Sequence, residues 1–145
     1  MKTINQYIKE SLLDDEEDLV DSSLYQPKDK KELIEVIKNC LNNKIYNLNC
    51  IDTSLIEDMS ELFSPENKIL KEYKNKFNKI DISQWNVSNV KDMSYMFMGS
   101  KFNKDISKWN VSNVANMYAM FYDSKFKGDI SKWNISKDTH TNNMF

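Results

Sequence analysis

Between residues 77 and 97 the apolar positions change rhythm. Phe77, Ile80 and Ile82 flank Asp81 and Ser83 in near alternation, the period of a short strand with one buried face. Val90, Met93, Met96 and Phe97 then fall at i, i+3, i+6 and i+7, which predicts a short helix with an apolar stripe. Ser88 or Asn89 would cap that helix, and Asp92 would lie near the positive end of its dipole. Farther upstream, Leu33, Ile34, Ile37, Cys40 and Leu41 form a longer helical stripe. It predicts a helix over residues 29–42 that covers the open end of whatever follows.

The two-part pattern returns. Trp85, Trp109 and Trp133 are spaced by 24 residues, as are Phe102 and Phe126. Met93, Met96 and Phe97 recur as Met117, Met120 and Phe121, and then as Met144 and Phe145. A degenerate earlier copy aligns at a shift of 34, where Asp58-Met59-Ser60 matches Asp92-Met93-Ser94. The ten extra residues fall within 64–76, a charged stretch containing Pro65 that reads as a surface insertion. A segment of this length cannot bury its apolar face alone, whereas stacked copies can. The expected fold class is therefore an α/β repeat solenoid of about four 24-residue strand-plus-short-helix units, over residues 43–76, 77–101, 102–125 and 126–145, behind an N-terminal capping helix. The expected core is Phe77, Ile82, Trp85, Met93 and Phe97, then Phe102, Ile106, Trp109, Met117 and Phe121, then Phe126, Ile130 and Trp133. Residues 138–143 replace the apolar stripe with polar side chains and read as a terminal cap.

The motif F-N-x-D-I-S-x-W-N-V-S-N-V-x-x-M-x-x-M-F resembles the BspA-type leucine-rich-repeat-like family that carries DUF285 repeats, over roughly residues 27–145. The resemblance implies a right-handed, leucine-rich-repeat-like solenoid, protein binding or adhesion as the usual role, and no catalytic residues. Residues 1–15 resemble leader segments found on proteins of large gut bacteriophages. That second likeness implies a phage-encoded structural or packaged protein with an N-terminal assembly or targeting arm, found in the virion or the infected-cell cytoplasm.

Composition narrows the remaining classes. Only two Gly and two Pro occur, so Asn, Asp and Ser must make the turns. No apolar run approaches the roughly 20 residues that span a bilayer, and the N-terminus lacks an apolar leader core. The expectation is a cytoplasmic chain with no membrane partner. A net charge of −2 without a basic patch argues against nucleic acid. His140 is the sole histidine, so one chain cannot assemble a His-based triad or a two-His metal site. No phosphate-binding glycine loop or nucleophile elbow is present. The chain reads as a non-enzyme without cofactor. Cys40 and Cys50 read as small buried hydrophobes in preference to a disulfide. Residues 1–26, with a stripe at Ile4, Tyr7, Ile8 and Leu12 and five acidic residues over 14–18, read as a partly disordered arm, or as a docking peptide.

One repeated polar set stands out. Asp81, Asp105 and Asp129 form an aligned acidic column, with Ser83, Ser107 and Ser131 two residues on and Gln84, Lys108 and Lys132 beside them. These nine residues are the candidate protein-binding face. Three stacked carboxylates could chelate a cation, but bonding to neighbouring backbone or hydroxyl groups accounts for them more simply. The Trp and Met columns read as core, and not as a stacking platform or a metal site.

Overall fold

The computed structural model describes Thr3, Asn5, Gln6 and residues 25–145. Most of the expected arm at 1–26 therefore lies outside the described residues.

Helix α1 spans Lys30–Asn42. Asp29 caps it in extended backbone, its Oδ1 accepting the Glu32 N–H at 2.9 Å, while Glu32 accepts the Lys28 N–H at 3.0 Å. Two donors without helical partners are satisfied in this way. The buried face is Leu33, Ile34, Val36, Ile37, Cys40 and Leu41, which seals the first unit. The helix stops where the Asn43 N–H returns to the Asn39 and Cys40 carbonyls and Lys44 turns left-handed, at a φ of 58°. Asp29→Ala is expected to lower stability by about 1 kcal/mol, read as a lower urea midpoint at unchanged slope. Loss of the cap hydrogen bond is the cause, so Asp29→Asn should restore most of it.

The repeats do not fold as strand-plus-helix units. Among the described residues there is no β-strand, and the β-type pairing between neighbouring segments is confined to isolated parallel bridges: Tyr25 to Ile51, Asn47 to Asp81, and the series Asp58, Asp92, Asn116 and His140. The expected α/β leucine-rich-repeat-like solenoid is thus overturned. Two features of the sequence explain why. First, the would-be strand turns back at once, because the Trp85, Trp109 and Trp133 N–H groups close onto the carbonyls of Ile82, Ile106 and Ile130. The later copies also lose the alternation, since Lys104 and Gly128 stand where Ile80 precedes the aspartate. Second, the would-be helix is interrupted once per unit by a left-handed residue. Glu61, Tyr95, Ala119 and Asn143 occupy the same repeat position with φ of 58, 58, 52 and 54°, outside the helical region.

What forms instead is a stack of turns. The N–H groups of Met93, Tyr95 and Phe97 donate to the carbonyls of Asn116, Tyr118 and Met120 in the next unit. Met117, Ala119 and Phe121 repeat the pattern onto His140, Asn142 and Met144. The intervening donors of Met96, Met98 and Ser100 close local turns onto Met93, Tyr95 and Phe97. Backbone pairing is shared between turn and neighbour, so no segment needs a continuous strand or helix to satisfy its polar groups. The asparagines divide the same labour. Asn86 and Asn110 cap the N–H and hydroxyl of Ser88 and Ser112, whereas the amides of Asn89 and Asn113 donate across to the carbonyls of Ser54 and Ser88 at 2.7 Å. Neither Ser88 nor Asn89 is a helix cap.

Burial follows the columns. Trp85, Trp109 and Trp133 each donate their indole N–H to a buried backbone carbonyl of the preceding unit, those of Leu48, Ile82 and Ile106, and Trp109 stacks on Trp133 at 6.3 Å. Phe63, Phe97 and Phe121 stack in series at 5.8 and 5.5 Å. Phe102 and Phe126 form a second series at 6.3 Å. Of the expected core, Phe77, Ile82, Met93, Phe97, Phe102, Ile106 and Met117 are closed to solvent, and Ile130 is only partly buried. Gly128 is needed beside this column, because a Cβ there would lie 2.5 Å from the Phe126 ring. The insertion is not purely surface. Ser64, Asn67 and Leu70 are buried, and a 3₁₀ helix over Lys71–Lys79 drives Phe77 inward.

Candidate interaction surface

The turn that replaces each expected strand follows directly on an aspartate. Asp81, Asp105 and Asp129 each accept the N–H of the serine two residues on, at 3.0, 2.9 and 2.9 Å. These side-chain turns fix the direction of the carboxylates without glycine or proline. The serine N–H bonds are also the main reason that all three carboxyls sit below the usual carboxylate range, with a serine hydroxyl assisting and a lysine adding a smaller attraction. They remain ionised and accept hydrogen bonds at any near-neutral pH.

Between the second and third units this geometry opens a cleft of about 220 Å³, lined by Asp81, Ser83 and Gln84 from one side and Lys104, Asp105 and Lys108 from the other. Five of the nine expected face residues line it together. Ser107 is half-buried beneath, and Asp129, Ser131 and Lys132 are exposed on the following unit outside the cleft. The Gln84 N–H donates across to Asn49 Oδ1 at 2.9 Å, which locks the upper edge to the first unit. Lys104 is the residue that sequence reasoning missed. Its signal was variation inside constancy, since Ile80, Lys104 and Gly128 occupy the one place before the repeated aspartate that changes character in every copy.

A second polar column was also missed. Asp58, Asp92 and Asn116 accept the N–H groups of Ser60, Ser94 and Tyr118 at 2.8, 2.8 and 3.0 Å. Tyr95 packs edge-on against Tyr118 at 5.2 Å, and Tyr118 lies 5.3 Å from the His140 ring. Among the described residues no group of three or more His, Cys, Asp or Glu side chains is gathered to hold a metal ion. No helix among them is long and apolar enough to cross a membrane.

A tandem array of turn-built units, joined by backbone rungs and bearing a repeated, pre-oriented polar face, defines a repeat protein. Residues 31–145 match the model of the family described as "Mycoplasma protein of unknown function, DUF285", and the chain belongs to that family. Comparison with curated proteins and with solved structures gave no match.

Proposed function

We propose that the chain is a non-enzymatic protein-interaction module that binds its partner at the cleft between the second and third units. The supporting observation is the cleft's construction. Asp81, Ser83 and Gln84 meet Lys104, Asp105 and Lys108 across a unit boundary, all but the two half-buried residues Asp81 and Ser83 being exposed. Carboxylates and ammonium groups side by side present both signs of charge to a partner. Such a pattern selects by electrostatic register and steers encounter, while adding little non-specific affinity. The Ser83 and Ser107 N–H groups hold the carboxylates in place beforehand, so less ordering is lost on contact.

The test is recovery of a partner by charge variants. Asp105→Asn keeps the oxygen that accepts the Ser107 N–H and removes only the charge. Combined with Lys108→Glu, it is expected to cut recovery of a partner captured by the unmodified chain by roughly tenfold, the sum of two exposed charge contacts, with the melting transition unchanged. Lys137→Glu, at an exposed position outside the cleft, should have no effect. Equal recovery by all three chains would remove this face from consideration.

A further inference from the structure

A second cleft, of about 350 Å³, lies where the insertion and its 3₁₀ helix meet residues 99–101 at the end of the second unit. Its polar side chains are Lys74, Asn75, Ser100 and Lys101, with no acid among them. Asn75 Oδ1 accepts the Lys101 ammonium at 2.8 Å, which leaves the Asn75 amide and two ammonium N–H groups to give. Ser100 is 2% exposed, and its hydroxyl oxygen already accepts the Phe102 N–H at 3.2 Å, so its proton is what it has to offer. Pro65 is half-buried and forms the apolar wall, backed by the closed Phe77 ring. We propose that this cleft is a binding site for an acidic peptide segment, with a carboxylate between Lys74 and Lys101 and an adjoining apolar side chain against Pro65.

Donors without an acid make the site complementary to an acceptor that carries negative charge. The surroundings extend that preference beyond a single ion. Residues 65–79 hold five lysines against Glu66 and Glu72, in a chain whose net charge is −2. Lys71 and Lys76 are exposed on the same 3₁₀ helix as Lys74. Lys125 is exposed on the next unit, its N–H bonded to the Ser100 carbonyl at 2.9 Å. Among the described residues none of these lysines, nor Lys101, forms an ion pair, so their field is not cancelled locally. A run of several carboxylates matches that field better than one small anion does. A nucleic acid matches it less well, because its bases stack on exposed rings and the one ring in the lining, Phe77, is closed to solvent. The insertion occurs once in the stack, so no other unit boundary builds this cleft.

The test is titration of the full chain with a fluorescein-labelled Leu-Glu-Glu-Glu-Leu peptide, followed by fluorescence anisotropy. One peptide should bind per chain, saturably, and more weakly as salt is raised. Lys74→Gln combined with Lys101→Gln removes two charges and keeps a donor for Asn75, and should weaken binding roughly tenfold at an unchanged melting temperature. Lys74→Gln alone leaves the Lys101 bond to Asn75 untouched and should weaken binding roughly threefold, so the result does not depend on the double variant folding. Lys137→Gln, at an exposed position outside the cleft, should bind as the parent does. Four results would each overturn the proposal: no saturation at about 1 mM peptide, equal binding of a Leu-Gln-Gln-Gln-Leu peptide, unaltered affinity in the lysine variants, or tighter binding of a labelled oligothymidylate of equal charge.

Discussion

Phe97→Ala is expected to remove about 3–5 kcal/mol of stability, enough to unfold a domain whose total is on the order of 5–15 kcal/mol. The ring is closed to solvent and touches four others. It lies 4.5 Å from Phe102, 5.5 Å from Phe121, 5.8 Å from Phe63 and 6.4 Å from Trp109. Those partners come from the units on both sides, Phe63 from the one before and Phe102, Trp109 and Phe121 from the one after, so the deletion opens a cavity that no single unit can collapse to fill. In a stacked array the loss reaches both interfaces at once, because stability is the sum of unit and neighbour terms. The thermal midpoint should fall by roughly 10 °C or more, with loss of near-ultraviolet aromatic signal at room temperature. Phe145→Ala supplies the contrast. That ring is 69% exposed and, among the described residues, stacks only on Phe121 at 5.5 Å, so its removal should cost about 1 kcal/mol. Similar costs for the two variants would contradict the stacked aromatic column.

The repeats, their phase and the family were legible in the sequence, and the backbone that builds them was not. Identical letters at fixed spacing declare that Trp109 will sit where Trp85 sits one unit earlier. Large apolar side chains are where burial stabilises most, so the columns could be read as core. Helix α1 was legible for a similar reason, since its apolar stripe spans three turns and Asp29 and Glu32 stand in capping positions. The strand and helix within each unit were misjudged because both are shorter than the length over which a period can be told from coincidence. Three apolar residues in near alternation, or four at helical spacing, fit a sequence of turns equally well. The deciding residues carry weak signals. A left-handed backbone is usually marked by glycine or asparagine, yet here the position holds Glu61, Tyr95 and Ala119 before Asn143 conforms. The bonds between units hold those residues in place against their own preference.

The candidate face was legible only in part, for the same reason. The repeated Asp and Ser could be seen as a column, but a cleft exists only where two successive units meet. One of its sides depends on Lys104, which does not repeat. A search for what is constant finds the scaffold of such a site, and the residues that vary between copies set its individuality. The missed column from Asp58 to His140 is the converse case. Its members change from acid to amide to imidazole while the backbone beneath them repeats without interruption, so alignment by side-chain identity passes over the firmest rung of the stack.

The left-handed column yields the prediction that most directly separates turns from helix. Ala119 has a φ of 52°, is 4% exposed, and donates its N–H to the Asn142 carbonyl of the next unit at 3.0 Å. Were this segment the helix that its apolar spacing suggests, Ala119→Val would cost only about 0.6 kcal/mol of propensity, and Ala119→Gly about 1 kcal/mol. On the observed backbone the order reverses. A branched Cβ in the left-handed region clashes with the carbonyl that follows it, at a cost of about 1–2 kcal/mol, and two added methyl groups in a closed site add about 1–3 kcal/mol. Ala119→Val should therefore lose about 2–5 kcal/mol. Glycine relieves the left-handed strain while gaining freedom in the unfolded chain, effects of similar size and opposite sign, so Ala119→Gly should stay within about 1 kcal/mol of the parent. Urea unfolding of the three chains at equal slope measures both differences. A valine variant as stable as the parent, paired with a destabilised glycine variant, would restore the helix and remove the interlocking turns. The opposite order is what the backbone bonds require, because Glu61, Tyr95 and Ala119 are each held by the next unit's carbonyl and not by the turn before.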